Sequence, residues 1–287
     1  MSPKEIICFI LVILNIFSWS VVFEVFKEKN LEICVFDVGQ GDAIFINTSQ
    51  GHRILIDGGP DNTILEKLET RIPFWNKTVD LVILTHSHAD HVAGLVDVLE
   101  NYNVKNIIWT GVDEDKALDR RWRELLEKEK AQIMIAEKGL TAVLGPEKKL
   151  KIIFPFEDLR GRPIHDLNDI SVVAMLESRG ERALFTGDIS ARIEKIMIDR
   201  GLDLEARILK VAHHGSRTST SLNFLTAVNP NIAIIPVGED NRFGHPAKEV
   251  LERLNNFNIK VLRTDKHNDI CLIQKKKKPL SLLSQTE

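Results

Sequence analysis

The spacing of apolar residues changes along the chain. Residues 6–23 form one uncharged run, broken only by Asn15, Ser18 and Ser20. At 1.5 Å per helical residue the run spans roughly 27 Å. No polar face exists to meet water, so one transmembrane helix is expected, an uncleaved anchor within residues 1–30. A cleaved signal would end in small residues, whereas this run ends in VVFEVF. Beyond it, short apolar segments read as strands at 31–38, 43–48, 53–57, 81–85, 106–109, 171–176, 183–187, 207–212, 232–237, 260–264 and 270–274. Helical spacing occupies 62–71, 91–101, 115–130, 190–200, 221–228 and 247–255. The early strands follow one another as hairpins, and the later ones alternate with helices. That order predicts an α/β fold in which two mixed sheets face each other with helices outside. No linker interrupts residues 31–274, which read as one domain. The segment 156–169 reads as a long loop, a common site of function.

Composition changes this picture little. The net charge is −3, and the lysine run Lys275–Lys278 holds four of the positive charges. The body is therefore acidic, which argues against a broad basic face for nucleic acid. Residues 275–287 read as a basic disordered tail. Of three cysteines, Cys8 lies in the apolar run, and Cys34 and Cys271 lie in strand-like segments. They are expected to be small buried side chains, with no disulfide framework implied.

The chemistry concentrates after the strand at 81–85. The sequence THSHADH delivers His86, His88, Asp90 and His91 to the end of a buried strand. In extended backbone His86 and His88 point the same way, so two imidazoles can share one cation. Asp90 and His91 open the next helix and can serve a second. Similar residues recur at two later strand ends: Asp188 in LFTGD, and His213 and His214 in LKVAHHGS. Alone, Asp188 reads equally well as a helix cap. Together the three stretches point to a centre for two divalent cations, zinc or manganese. His245, before Pro246, and the hydroxyls of Ser216 and Thr218 are candidates for binding a phosphate. Gln40 and Asp42 in the DVGQGDA turn read mainly as structural, with a place at the site rim as the alternative.

The order HSHADH, GD, HHGS resembles the metallo-β-lactamase superfamily. More narrowly, VFDVGQGDAIFI, ILIDGG, LTHSHADHVAGL, LFTGD, LKVAHHGS and NRFGHP resemble the hydrolase domain of the ComEC competence proteins, over roughly residues 31–274. The resemblance implies a four-layer αββα sandwich preceded by the transmembrane helix. It implies that His86 and His88 hold one metal, Asp90 and His91 the other, and that Asp188 bridges them. His213 or His214 completes the second site and the other faces the substrate. We take His213 as the ligand, with His214, Asp90 and His245 catalytic. Asp57 is a structural acid behind the centre. Asn168 stands where the superfamily has a further histidine, so it is assigned to substrate binding and the first site is expected to be weak or suited to manganese.

The expected function is a binuclear phosphodiesterase or nuclease acting on single-stranded DNA, or on a small phosphodiester, in DNA uptake. The expected place is a membrane-anchored, extracytoplasmic one. Two alternatives are a small-molecule hydrolase of the phosphocholine esterase or lactonase type and a DNA- or partner-binding module with a degenerate site.

Overall fold

The computed structural model describes residues 2–26, 30–275 and 278–283, with the side chains of 20–26 outside that description. After helix α1 (Pro3–Phe26) come β1 (Leu31–Val35), β2 (Ile44–Asn47), β3 (Arg53–Ile56), α2 (Thr63–Glu69), β4 (Thr78–Val79), β5 (Leu81–Ile83), α3 (Ala89–Asn101), β6 (Asn103–Val104), β7 (Asn106–Trp109), α4 (Ala117–Lys128) and β8 (Gln132–Ile135). The second half holds β9 (Thr141–Gly145), β10 (Lys148–Phe154), β11 (Val173–Ser178), β12 (Glu181–Phe185), α5 (Ala191–Asp199), β13 (Ile208–Lys210), α6 (Leu222–Val228), β14 (Ile232–Ile235), α7 (Lys248–Asn256), β15 (Lys260–Arg263), α8 (Thr264–His267), β16 (Ile270–Gln274) and β17 (Ser281–Leu282). One sheet runs β17-β16-β1-β2-β3-β5-β7-β8 and the other β15-β14-β13-β12-β11-β10-β9.

Alternation along each strand builds the layers. In β3, Ile54 and Ile56 face the space between the sheets, where they meet Ile152, Ala174, Phe185 and Ile208 of the other sheet. Leu55 faces outward and packs with Ile64, Leu95 and Trp122 of helices α2, α3 and α4. In the second sheet Leu184, Leu209 and Ala233 face outward onto Ile193, Phe224 and Val250 of α5, α6 and α7. The result is α, β, β, α, the four layers expected. Within each sheet the central strands are parallel: β3, β5 and β7 in one, β12, β13 and β14 in the other. Residues that follow these strands therefore leave at one edge of their sheet.

Several expectations need correction. A helix forms at Pro3–Phe26, and its apolar side chains between Ile6 and Trp19 are exposed. Among the described residues, however, no helix is long and apolar enough to cross a membrane. The transmembrane helix is not supported. Cys34 and Cys271 are not merely buried: they are directly paired across β1 and β16 and form a disulfide. A pairing of strands 237 residues apart in sequence could not be read from local pattern. The tail expected to be disordered contains β17, which pairs with β16, and Leu280 is buried. The strands β8, β9 and β10 were not expected. In β10, Lys148, Lys149 and Lys151 hide the alternation of the buried Leu150, Ile152 and Phe154.

Candidate metal centre

The site lies along the ends of β5, β12, β13 and β14. After β5 the chain stays extended through His86 and His88, and α3 begins at Ala89. His86 Nε2 and His88 Nδ1 lie 3.0 Å apart. Two nitrogens on one tetrahedral zinc are separated by about 3.3 Å, so the pair is set for a shared cation. The other nitrogen of His86, Nδ1, lies 3.1 Å from Thr85 Oγ1 and 3.3 Å from Ser171 Oγ.

Asp57 is the support beneath. It is fully buried and accepts hydrogen bonds from the Thr85 N–H (2.8 Å) and hydroxyl (2.7 Å). Its Oδ2 also lies 2.8 Å from His91 Nδ1. Its contacts thus reach His86 through Thr85 and His91 directly, and leave His91 Nε2 facing the site. Burial, opposed by His91, holds the Asp57 carboxyl above the usual carboxylate range.

Asp188 follows β12 and Gly187, whose φ is +51°. Its Oδ2 lies 3.4 Å from His91 Nε2 and 3.5 Å from His214 Nε2. One oxygen therefore faces imidazoles from both halves of the sandwich. His214 Nε2 also approaches Asp90 Oδ2 at 3.3 Å, and its Nδ1 lies 2.9 Å from the Pro236 carbonyl. Three-residue donor groups overlap here: His86, His91 and Asp188; Asp90, His91 and His214; Asp42, Asp188 and His214.

The structure distinguishes the adjacent histidines. His214 enters the carboxylate cluster, whereas His213 turns to His245, with ring centroids 5.7 Å apart. Both residues have positive φ, 50° and 51°, an uncommon conformation for residues with a side chain and one that collects at functional sites. Ser216 is buried, with Oγ 3.0 Å from Thr218 Oγ1. Asn168 lies in a 3-10 turn, Asn168–Ile170, and its buried Oδ1 has no hydrogen-bond partner. His165, in the same loop, is exposed.

Two residues read as structural or passed over in the sequence belong to the same cluster. Lys210, the last residue of β13, points between the sheets, because Leu209 before it points out. Its ammonium donates to Gly187 O (2.8 Å), to Asp188 Oδ1 (3.3 Å) and to Asp42 Oδ2. Asp42 Oδ1 lies 3.4 Å from His214 Nδ1. A lysine inside an otherwise apolar strand was the available signal.

The electrostatics test whether cations fit. Burial alone would lower the pKa of His91 and His214, yet Asp188 and the neighbouring carboxylates hold both above the ordinary histidine value. Burial would raise Asp90 and Asp188, yet His91 and His214 hold both below the carboxylate range. The Nε2 atoms of His91 and His214 are buried without a hydrogen-bond partner. Carboxylates thus draw positive charge onto nitrogens that also have the geometry of ligands. Divalent cations in place of those protons satisfy both groups. His245 is different: burial and the nearby His213 and His214 push it down to about 4, so it is neutral at neutral pH.

A two-sheet sandwich with this donor edge defines a metal-dependent hydrolase fold. The chain belongs to the metallo-beta-lactamase superfamily, whose pattern it matches over residues 36–239. Among curated relatives, it is 28% identical to ComE operon protein 3 of Bacillus subtilis (strain 168), over 83% of this chain and 32% of that protein. It is also 28% identical to competence protein ComA of Neisseria gonorrhoeae, over 84% of this chain and 32% of that protein. These are competence proteins of the ComEC family, and the chain spans about a third of their length. Among solved structures it resembles the metallo-beta-lactamase fold protein YhfI of Bacillus subtilis, with a TM-score of 0.56 at 14% identity, covering 82% of this chain and 96% of that one. The diiron β-hydroxylase CmlA of Streptomyces venezuelae gives 0.54 at 14% identity, over 86% and 55%. At such identities these structures speak for the fold alone.

Proposed function

We propose that the chain is a two-metal phosphodiesterase that cuts single-stranded DNA in the course of DNA uptake. The observation that carries this reading is that Asp188 joins both sides of the cluster: it forms one donor group with His86 and His91, and its Oδ2 lies 3.5 Å from His214 Nε2. A carboxylate oxygen so placed suits a ligand shared by two cations. His86, His88 and Asp188 would hold the first, and Asp90, His91, His214 and Asp188 the second. Bound there, two divalent ions supply positive charge for phosphate oxygens and a route to hydroxide at neutral pH. The names of the competence relatives support nucleic acid as the substrate.

The chain's own residues prepare the reaction. Asp57 and Thr85 fix the orientations of His91 and His86, which sets which nitrogen of each ring faces the site. Lys210 offsets the charge of Asp42 and Asp188, so the acids can be buried together. Ser216 and Thr218 offer hydroxyl donors to a phosphate oxygen. His213 and neutral His245 stand on the substrate side, where His245 can accept or pass a proton.

The Cys34–Cys271 disulfide supports a catalytic domain outside the cytoplasm. The test of function uses the full chain loaded with zinc or with manganese and a labelled single-stranded oligonucleotide. The wild type is expected to cleave it. His86→Ala and Asp188→Ala should lose at least about a hundredfold in rate while keeping the wild-type circular dichroism. A loaded wild type that leaves DNA intact but hydrolyses a lactone or a choline ester would refute the reading.

A further inference from the structure

We propose that Phe243, stacked on His245 beside the metal centre, is a platform for a nucleobase, so that the site binds a nucleotide chain through a base as well as a phosphate. This rests on the phosphodiesterase reading and names what that reading leaves open, the group recognised next to the scissile bond.

Four observations carry it. Phe243 is 57% exposed, although it is a large aromatic ring in a structured loop. Its ring stacks on His245 with centroids 5.9 Å apart and planes 20° from parallel. His245 in turn meets His213 at 5.7 Å, and His213 meets His214 at 6.2 Å. A line of rings thus runs from the carboxylate cluster out to solvent. Arg242 lies over the Phe243 ring, its guanidinium carbon 5.2 Å from the centroid, a cation that an incoming base must displace from the ring or stack against, and that can then meet a backbone phosphate.

The loop is held in shape before any ligand arrives. Asn241 Oδ1 accepts the His245 N–H at 2.9 Å, and Asn241 Nδ2 donates to the His245 carbonyl (2.8 Å) and the Gly238 carbonyl (2.9 Å). The Gly238 N–H donates to Gln40 Oε1 at 3.3 Å, which ties the loop to the turn after β1. Asn241 is thus a positioning residue for the stack. Charge does not explain the exposed ring, because Glu239 and Asp240 are exposed in the same loop and repel a polyanion. Recognition must come from the ring, and base–aromatic stacking tolerates any base because each has a π-face.

The test pairs Phe243→Ala with Phe243→Tyr in the full, metal-loaded chain. Binding is read by fluorescence anisotropy with a phosphorothioate oligonucleotide, which resists cleavage, and with the same backbone lacking bases. Phe243→Ala should bind the base-bearing strand roughly tenfold more weakly, Phe243→Tyr should bind like the wild type, and neither should change binding of the abasic strand. In cleavage assays the alanine variant should raise KM and leave kcat unchanged. Equal binding of both strands by the wild type, or unaltered binding by Phe243→Ala, would overturn the platform. Failure of the wild type to cleave the unmodified strand of the same sequence, with base-dependent binding intact, would overturn the phosphodiesterase reading and leave the platform standing.

Discussion

Lys210 shows how much of the centre depends on a residue that touches no substrate. Its ammonium is fully buried between Asp42 and Asp188, and it occupies Asp188 Oδ1 so that Oδ2 faces the imidazoles. Lys210→Met keeps the bulk and removes the charge. It leaves two buried carboxylates facing each other, a situation that costs several kcal/mol. The variant should bind zinc about 10–100-fold more weakly in competition with a chelator, and unchanged affinity would show that the lysine serves packing alone. The residue scale also marks the limit of the sequence. His86, His88, Asp90 and His91 were legible because an extended strand followed by a helix has fixed side-chain directions. The choice between His213 and His214 was not legible, because both have positive φ and strand alternation does not apply to them. Lys210 was missed, and Asp42 was weighed only as a rim residue, because each finds its partner more than twenty residues away.

At the scale of elements, the centre requires α3 to start close against the turn after β3. Gly94 in α3 and Gly58 in that turn make the approach possible: a Cβ on Gly94 would lie 2.0 Å from the Gly58 carbonyl oxygen, and one on Gly58 would lie 2.4 Å from the Leu95 nitrogen. Gly94→Ala must push α3 away from the sheet, and Asp90 and His91 move with it. Overpacking of this kind costs about 1–3 kcal/mol. Urea unfolding should show that loss together with weaker metal binding; a variant as stable as the wild type would mean the backbone has more room than described. The helices α2 to α7 were legible to within a few residues, because each buries one stripe on a sheet, whereas the four-residue α8 was not. The strands β8 to β10 were not: β8 and β9 are short edge strands, and in β10 Lys148, Lys149 and Lys151 interrupt the apolar signal.

The whole molecule brings two halves of the chain to one edge, and two consequences can be measured. The disulfide joins β1 to β16, near opposite ends of the sequence, and closes a loop of more than two hundred residues. Cys34→Ser should lower stability by about 2–5 kcal/mol in denaturant, and a reductant should affect the wild type but not the variant. If the reductant leaves the wild type unchanged, the bond does not form. The second consequence concerns the metal-free chain. His91 and His214 have folded pKa values above the ordinary value of 6.5. Their contribution to stability is fully present below about pH 6.5 and is lost as pH rises through the folded values. Asp90 and Asp188 lie below the ordinary 3.8, so theirs is present above that pH and lost on acidification through the folded values. Chelated protein should therefore lose melting temperature from pH 6 to pH 9, and metal-loaded protein should not. Equal pH profiles would contradict the account.

The most direct measurement is the metal content of the purified full chain after loading and desalting, by mass spectrometry, in the wild type and in Asp188→Ala. The account predicts two divalent ions per wild-type chain and no more than one in the variant, because in the proposed centre Asp188 would be the ligand both ions share. A wild type without bound metal, or an Asp188→Ala chain that retains two ions, would contradict it.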